Sequence, residues 1–187
     1  MSFRDSASNA WLIRATMIGL GAVVVIFIVG QILAAMFIPL RAIGQSVTCQ
    51  SNVIKLTRSF RLYEDDYDDH IPPSAGWMDR TFFYLDKEQY LHCPAVAVPK
   101  SKEYGYAMNS SVAGKDKAAI DRPEEAAIVF DSTNVTRSAF DPMISLPKPG
   151  RHRTKPRKGS PSRPGNFVGY FDGSARILLD GAIPTHR

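Results

Sequence analysis

The residues able to do chemistry in this chain are two cysteines, four histidines, a cluster of acids and a run of bases. Cys49 and Cys93 form no Cys-x-x-Cys, and neither belongs to a Cys/His set with zinc spacing. Such a pair fits a structural disulfide in an oxidising compartment better than a metal site. Two buried free thiols, behaving as small apolar side chains, are the alternative. His92 adjoins Cys93, so a nucleophile and a base can be written side by side, but adjacent residues of an extended chain point to opposite sides. His70, His92, His152 and His186 make no His-x-x-x-His pattern. There is no Gly-x-Ser-x-Gly elbow and no phosphate-cradling glycine loop. The expectation is a protein that is not an enzyme, with no catalytic residue, no cofactor and no small-molecule substrate.

The acids Glu64, Asp65, Asp66, Asp68 and Asp69 are the place to look for calcium, a hard cation that takes six to eight oxygens. Asp66 and Asp68 are the weak candidates. The glycine and distal glutamate of an EF-hand loop are missing at the right spacing, so a solvated helix end is the simpler reading and no metal is expected. The bases tell a different story. The net charge is +5 over 187 residues, yet between Pro142 and Phe171 there are seven Lys or Arg and no acid. These are Lys148, Arg151, Arg153, Lys155, Arg157, Lys158 and Arg163, with His152 among them. The basic pI belongs to this segment, which would meet any anionic partner through charge and counterion release. From Lys148 to Arg163 it has no Phe, Tyr or Trp for base stacking, so nucleic acid is not the expected partner.

The elements that must carry these residues begin in a membrane. Residues 15–40 are apolar except for Thr16 and Gln31. As a helix they reach ~39 Å, enough to cross a hydrocarbon core of ~30 Å with tilt. A secretory signal has a shorter apolar region, ~7–15 residues, followed by a small-residue cleavage site, so the run reads as an anchor. Flanking bases give little positive-inside bias. The cysteine pair favours an N-terminus in the cytoplasm and the domain outside. Gly30 and Ala34 form a small-xxx-small pair of the kind that lets helices approach closely.

Beyond the span the helix is predicted to continue over 41–70. Its apolar face is drawn through Ile43, Val47, Ile54, Phe60, Tyr63 and Tyr67, with a kink at Pro39. Its end is set near Asp69 by Ile71-Pro72-Pro73. Short strands are predicted at Tyr104 to Asn109, Ala127 to Phe130, Phe167 to Phe171 and Ala175 to Leu179. The last two flank the hairpin signal Asp172-Gly173-Ser174. A short helix is read around Met78 to Leu85. The Pro-rich basic loop, 141–165, is longer than an ordinary connection. The fold class is therefore α+β: a short segment 1–14, a transmembrane helix 15–40, and a domain 41–187 whose long helix packs on a small antiparallel sheet in 71–187.

Several of these pieces, in this order, resemble the pilin-like (pseudopilin-type) proteins of bacterial type II secretion and type IV pilus systems, in the group that ends in an Asp-Gly hairpin. Cys49-Gln50-Ser51-Asn52 with Lys55 resembles the Cys-x-x-Asn start of the extramembrane helix. Tyr63, Asp66-Tyr67-Asp68 and Pro72 resemble its exit, and Leu91-His92-Cys93-Pro94 resembles the second cysteine. Tyr104-Gly105-Tyr106-Ala107-Met108-Asn109 resembles the first strand. Phe130-Asp131-Ser132 and Val168-Gly169-Tyr170-Phe171-Asp172-Gly173 complete the series. The resemblance implies a structural or assembly subunit whose partners are the membrane and neighbouring subunits met through the N-terminal helix. Prepilins of the family carry a cleaved leader and an early glutamate. The span here has no acid, so a retained N-terminus is expected. The family often places Arg-His ten residues before Asp-Gly; here Arg151-His152 lies twenty before Asp172, as a basic insertion of about ten residues would produce.

Overall fold

A computed structural model describes residues 4–96, 103–154 and 161–181. One helix, α1, runs from Arg4 to Asp66 and continues through Pro39. The chain divides into two units between Arg41 and Ala42. In the first, every side chain from Arg14 to Arg41 is exposed. This stretch is long and apolar enough to be a single membrane span, since a lone helix there satisfies its own backbone without water.

The second unit is built on residues 42–66 of α1, the short helix α2 (Trp77–Phe82), and six strands. The strands are β1 (Tyr106–Asn109), β2 (Ala127–Asp131), β3 (Phe140–Asp141), β4 (His152–Arg153), β5 (Pro164–Tyr170) and β6 (Ala175–Leu179). They form one sheet in the order β3-β1-β2-β5-β4, with β6 on β5. The α+β class holds, but the sheet is mixed where an antiparallel one was expected: β3 lies parallel to β1. The cause is an occupied edge. Strand β2 has β1 on one side and β5 on the other. The chain returning from β2 therefore seats beyond β1, and its reversed direction makes it parallel to that strand. The two-residue strands β3 and β4 carry too short a pattern to be read in advance.

The buried face of α1 also differs from the expected one. Cys49, Val53, Leu56, Phe60 and Tyr63 are buried, with the polar Asn52, Thr57, Ser59 and Glu64 among them. Ile43, Val47, Ile54 and Tyr67 are exposed by two-fifths or more, so only Phe60 and Tyr63 of the expected face are in the core. The polar residues are admitted because they are bonded. Ser59 and Thr57 donate to Leu56 and Ile54 carbonyls at 2.8 Å, and buried polar groups are tolerated when so satisfied; Glu64 pairs with Lys117 through Oε2 at 3.0 Å, while its Oε1 has no hydrogen-bond partner among the described residues. The helix ends three residues before the expected point. Asp68 and Asp69 take positive φ (50° and 59°), a conformation Asp tolerates. The Glu64 carbonyl accepts from the Tyr67 and Asp69 amides there.

One core fills the space between α1 and the sheet, centred on Leu56, Phe60, Trp77, Tyr106, Met108 and Ile128. A smaller one, Ala107, Ala127, Phe130, Ala139 and Val168, covers the opposite face. The Asp172-Gly173 hairpin forms as expected, with Gly173 donating to the Tyr170 carbonyl and Tyr170 to that of Ser174. Where β5 crosses α1, Gly169 lies so close that a Cβ would strike the Thr57 methyl, with Val53 at 2.9 Å and Val129 at 3.0 Å. Replacing Gly169 with Ala is therefore expected to cost about 1–3 kcal/mol through overpacking. That is a fall of several degrees in Tm by circular dichroism, at ~2–4 °C per kcal/mol for a chain of this size.

Candidate functional site

The chemistry-bearing residues meet at one place, under the first turns of the domain's share of α1. Gln45, Cys49 and Asn52 stand on one side of the helix, at i, i+4 and i+7. Gln45 donates to the Pro94 carbonyl at 2.8 Å and Asn52 to the His92 carbonyl at 2.9 Å. Between these two bonds, Cys93 is held with its sulfur 2.6 Å from that of Cys49. The Cys93 segment is fixed from behind by its own amide, which donates to the Tyr104 carbonyl at 2.8 Å.

The histidine that meets Cys93 is His152, not the adjacent His92. His92 turns away, with Nδ1 at 2.9 Å from the Glu103 carbonyl and its ring stacked on Tyr104. His152, buried on β4, places Nε2 3.7 Å from the Cys93 sulfur and 3.2 Å from Asp131 Oδ2. Its Nδ1 faces the Ser46 hydroxyl at 3.3 Å. Asp131, wholly buried, accepts from the Phe167 amide at 2.6 Å. It also faces Arg151, whose guanidinium donates to the Gly105 carbonyl at 2.8 Å and the Ser132 carbonyl at 2.6 Å. Gly105, at φ 86°, lets the backbone approach Arg151 Nη1, which would lie 3.0 Å from a Cβ. Among the described residues the buried Tyr106 hydroxyl has no hydrogen-bond partner.

Three chemistries can be tested against this geometry. Cys93, His152 and Asp131 have the residue types of a nucleophile, base and orienting acid. A relay needs the acid on one ring nitrogen and the nucleophile on the other, yet here both meet Nε2 and the thiol is 3% exposed. Cys49, Cys93 and His152 bring donor atoms within 4.8 Å of one another, the residue types of a zinc set. With Zn–S bonds of about 2.3 Å, two thiolates on a tetrahedral ion stand about 3.7 Å apart, so sulfurs at 2.6 Å do not fit around a metal. The cysteines are unbridged here, but their separation lies far nearer the covalent length of about 2.05 Å than that of shared thiolates. The contact joins α1 to the loop that precedes β1.

As thiols the pair would be unequal. Burial pushes Cys93 up, but the Cys49 thiol and His152 outweigh it and bring its pKa down to about 6, while Cys49 is pushed up by its bond to Cys93 and by burial. Burial pushes His152 down, and the Asp131 and Cys93 contacts more than reverse this, to about 9.

The expected anionic set divides. Arg151 is turned inward, its guanidinium taken by carbonyls and Asp131, so it belongs to the clamp and not to a binding surface. Lys148, Arg153 and Arg163 are exposed. Lys155, Arg157 and Lys158 lie outside the described residues. Of the calcium candidates, Asp66 accepts from the Tyr84 hydroxyl at 2.7 Å and Asp68 occupies the helix-end turn. Among the described residues they do not converge with a third ligand. His152 pairs with Gly165 and Arg153 with Pro164, which holds the histidine on the strand beside β5. The role of His152 and Asp131 was not assigned from sequence, although the Arg-His and Phe-Asp-Ser motifs carried the signal. Comparison with family models, with curated proteins and with solved structures gave no match.

Two outcomes are expected. Non-reducing peptide mapping should recover Cys49 and Cys93 in one linked species, and reduction should lower stability by up to ~4 kcal/mol, the loop-closure value for a step of this length. Two freely alkylated thiols in native protein would contradict this. His152 is held charged above its unfolded pKa, so its stabilisation is fully present below about pH 6.5 and is lost as pH rises through about 9. Chemical denaturation of the bridged protein, in which Cys93 no longer titrates, should show stability falling over that window by on the order of 1 kcal/mol. With both thiols free, the lowered Cys93 pKa offsets the fall, and the His152→Gln variant of the bridged protein should lack the slope.

Proposed function

We propose that this chain is a membrane-anchored, pilin-like structural or assembly subunit of a bacterial cell-envelope complex of the secretion or pilus type. Its N-terminus is cytoplasmic and its domain lies on the extracytoplasmic side. It works by position and surface; no residue is assigned a catalytic role. The observation that carries the reading is the convergence of separate motifs on one buried staple. Cys49 and Asn52, Cys93, Gly105, Asp131-Ser132 and Arg151-His152 are far apart in sequence, and all touch within the clamp. A cysteine pair so placed suits an oxidising compartment. Supporting it, Ile43, Val47 and Ile54 form a stripe on α1 that the domain leaves open, as a helix awaiting neighbouring helices would.

A reporter fused after Arg187 is expected to be active only outside the cytoplasm. A photo-crosslinker at Val47 or Ile54, in native membranes, should give discrete adducts with further copies of the chain or with other single-span proteins. Cytoplasmic reporter activity, or a chain that stays uncrosslinked at both positions, would overturn the reading.

A further inference from the structure

We infer that the exposed bases beside β4 and β5 form a docking surface for the anionic lipid headgroups of the bilayer that holds the chain. Lys148, Arg153 and Arg163 are exposed, and none has a carboxylate at ion-pair distance among the described residues. The nearby Asp180 accepts the Gly150 amide at 2.9 Å through both oxygens and is one acid set against these bases. Arg153 and Arg163 are held on one short ladder. Thr154 donates to the Arg163 carbonyl at 2.9 Å, and the Arg163 amide donates to the Thr154 hydroxyl at 2.9 Å. Between them the sequence adds Lys155, Arg157 and Lys158, and no acid.

The position of this ladder selects the partner. His152, the residue before Arg153, touches Ser46 of α1 at 3.3 Å. Ser46 is six residues past Leu40, where the apolar run ends, so the chain itself keeps it within ~20 Å of the span, whatever its path. The headgroup layer extends outward ~5–7 Å from the hydrocarbon, and juxtamembrane bases are drawn to anionic lipid over about a Debye length. The acids Asp65, Asp66, Asp68 and Asp69 stand at the other end of the domain's helix, ~30 Å from Ser46 along its axis. The domain thus presents bases near the tether and acids away from it. A tethered surface is always at high effective concentration, an advantage that no soluble polyanion shares.

The inference rests on the anchor in the proposed function, and the test separates the two. The full chain, carrying a fluorescent amino acid in place of the exposed Pro161, is reconstituted into vesicles of phosphatidylcholine, or of an equal mixture with phosphatidylglycerol. Both contain a little headgroup-spin-labelled lipid as quencher. Quenching is expected to be at least about twofold greater in the anionic vesicles, to fall to the neutral level in molar salt, and to lose most of its anionic excess in the K148S/R153S/R163S variant. Those side chains make no internal hydrogen bond among the described residues, so the variant should melt as the parent does. Quenching independent of lipid composition, in a chain that floats with the vesicles, would overturn this inference alone. A chain that does not float would overturn the anchor and the inference together.

Discussion

The domain depends on one constraint: a loop must be held against a helix that has no covalent reason to stay near it. Gln45 and Asn52 grip the carbonyls on either side of Cys93, and the sulfurs meet between them. Each hydrogen bond contributes modestly, about 0.5–1.5 kcal/mol. Together they set the loop in register, so that Cys93 can accept only Cys49. A bridge there would close the 44-residue step that contains the helix exit and α2.

Around the cysteine pair the interior is polar. Asp131, Arg151 and His152 are buried or nearly so, and such groups are tolerated only when charge and hydrogen bonds are matched. Asp131 is satisfied from three directions, by the Phe167 amide, Arg151 and His152. Arg151 in turn caps the Gly105 and Ser132 carbonyls, which joins the ends of β1 and β2. Removing one member would leave the others buried and unpaired, a greater loss than the pair's own net worth. This is why the cluster reads as architecture. Its chemistry is spent on holding strands, helix and loop together.

The surface charge follows the same axis. Acids gather where α1 ends and bases where the domain meets its tether, and the core between them is apolar. The stripe of Ile43, Val47 and Ile54 is left open on α1.

The sequence alone determined the span, the helix that continues from it, the sites of the longer strands and the final hairpin. Each of these rests on local signals: an unbroken apolar run, Pro72-Pro73, branched and aromatic runs, and Asp172-Gly173. The motif order also pointed to the paired cysteines. The buried face of α1 was misread because Asn52, Thr57, Ser59 and Glu64 are polar by composition; Ser59 bonds back within its own helix, while Asn52, Thr57 and Glu64 find partners brought from His92, Gly173 and Lys117. Arg151 was read as a surface base for the same reason: a guanidinium's partners are carbonyls and a carboxylate brought from β1 and β2. His152 joined Cys93 instead of the neighbouring His92 because β4 pairs with β5, a contact between residues distant in sequence. The parallel β3 arose from an edge already occupied by β5. Periodicity and turn chemistry act over a few residues, so they fix elements; which buried polar groups find partners is a property of the whole packed chain, and only the tertiary structure decided it.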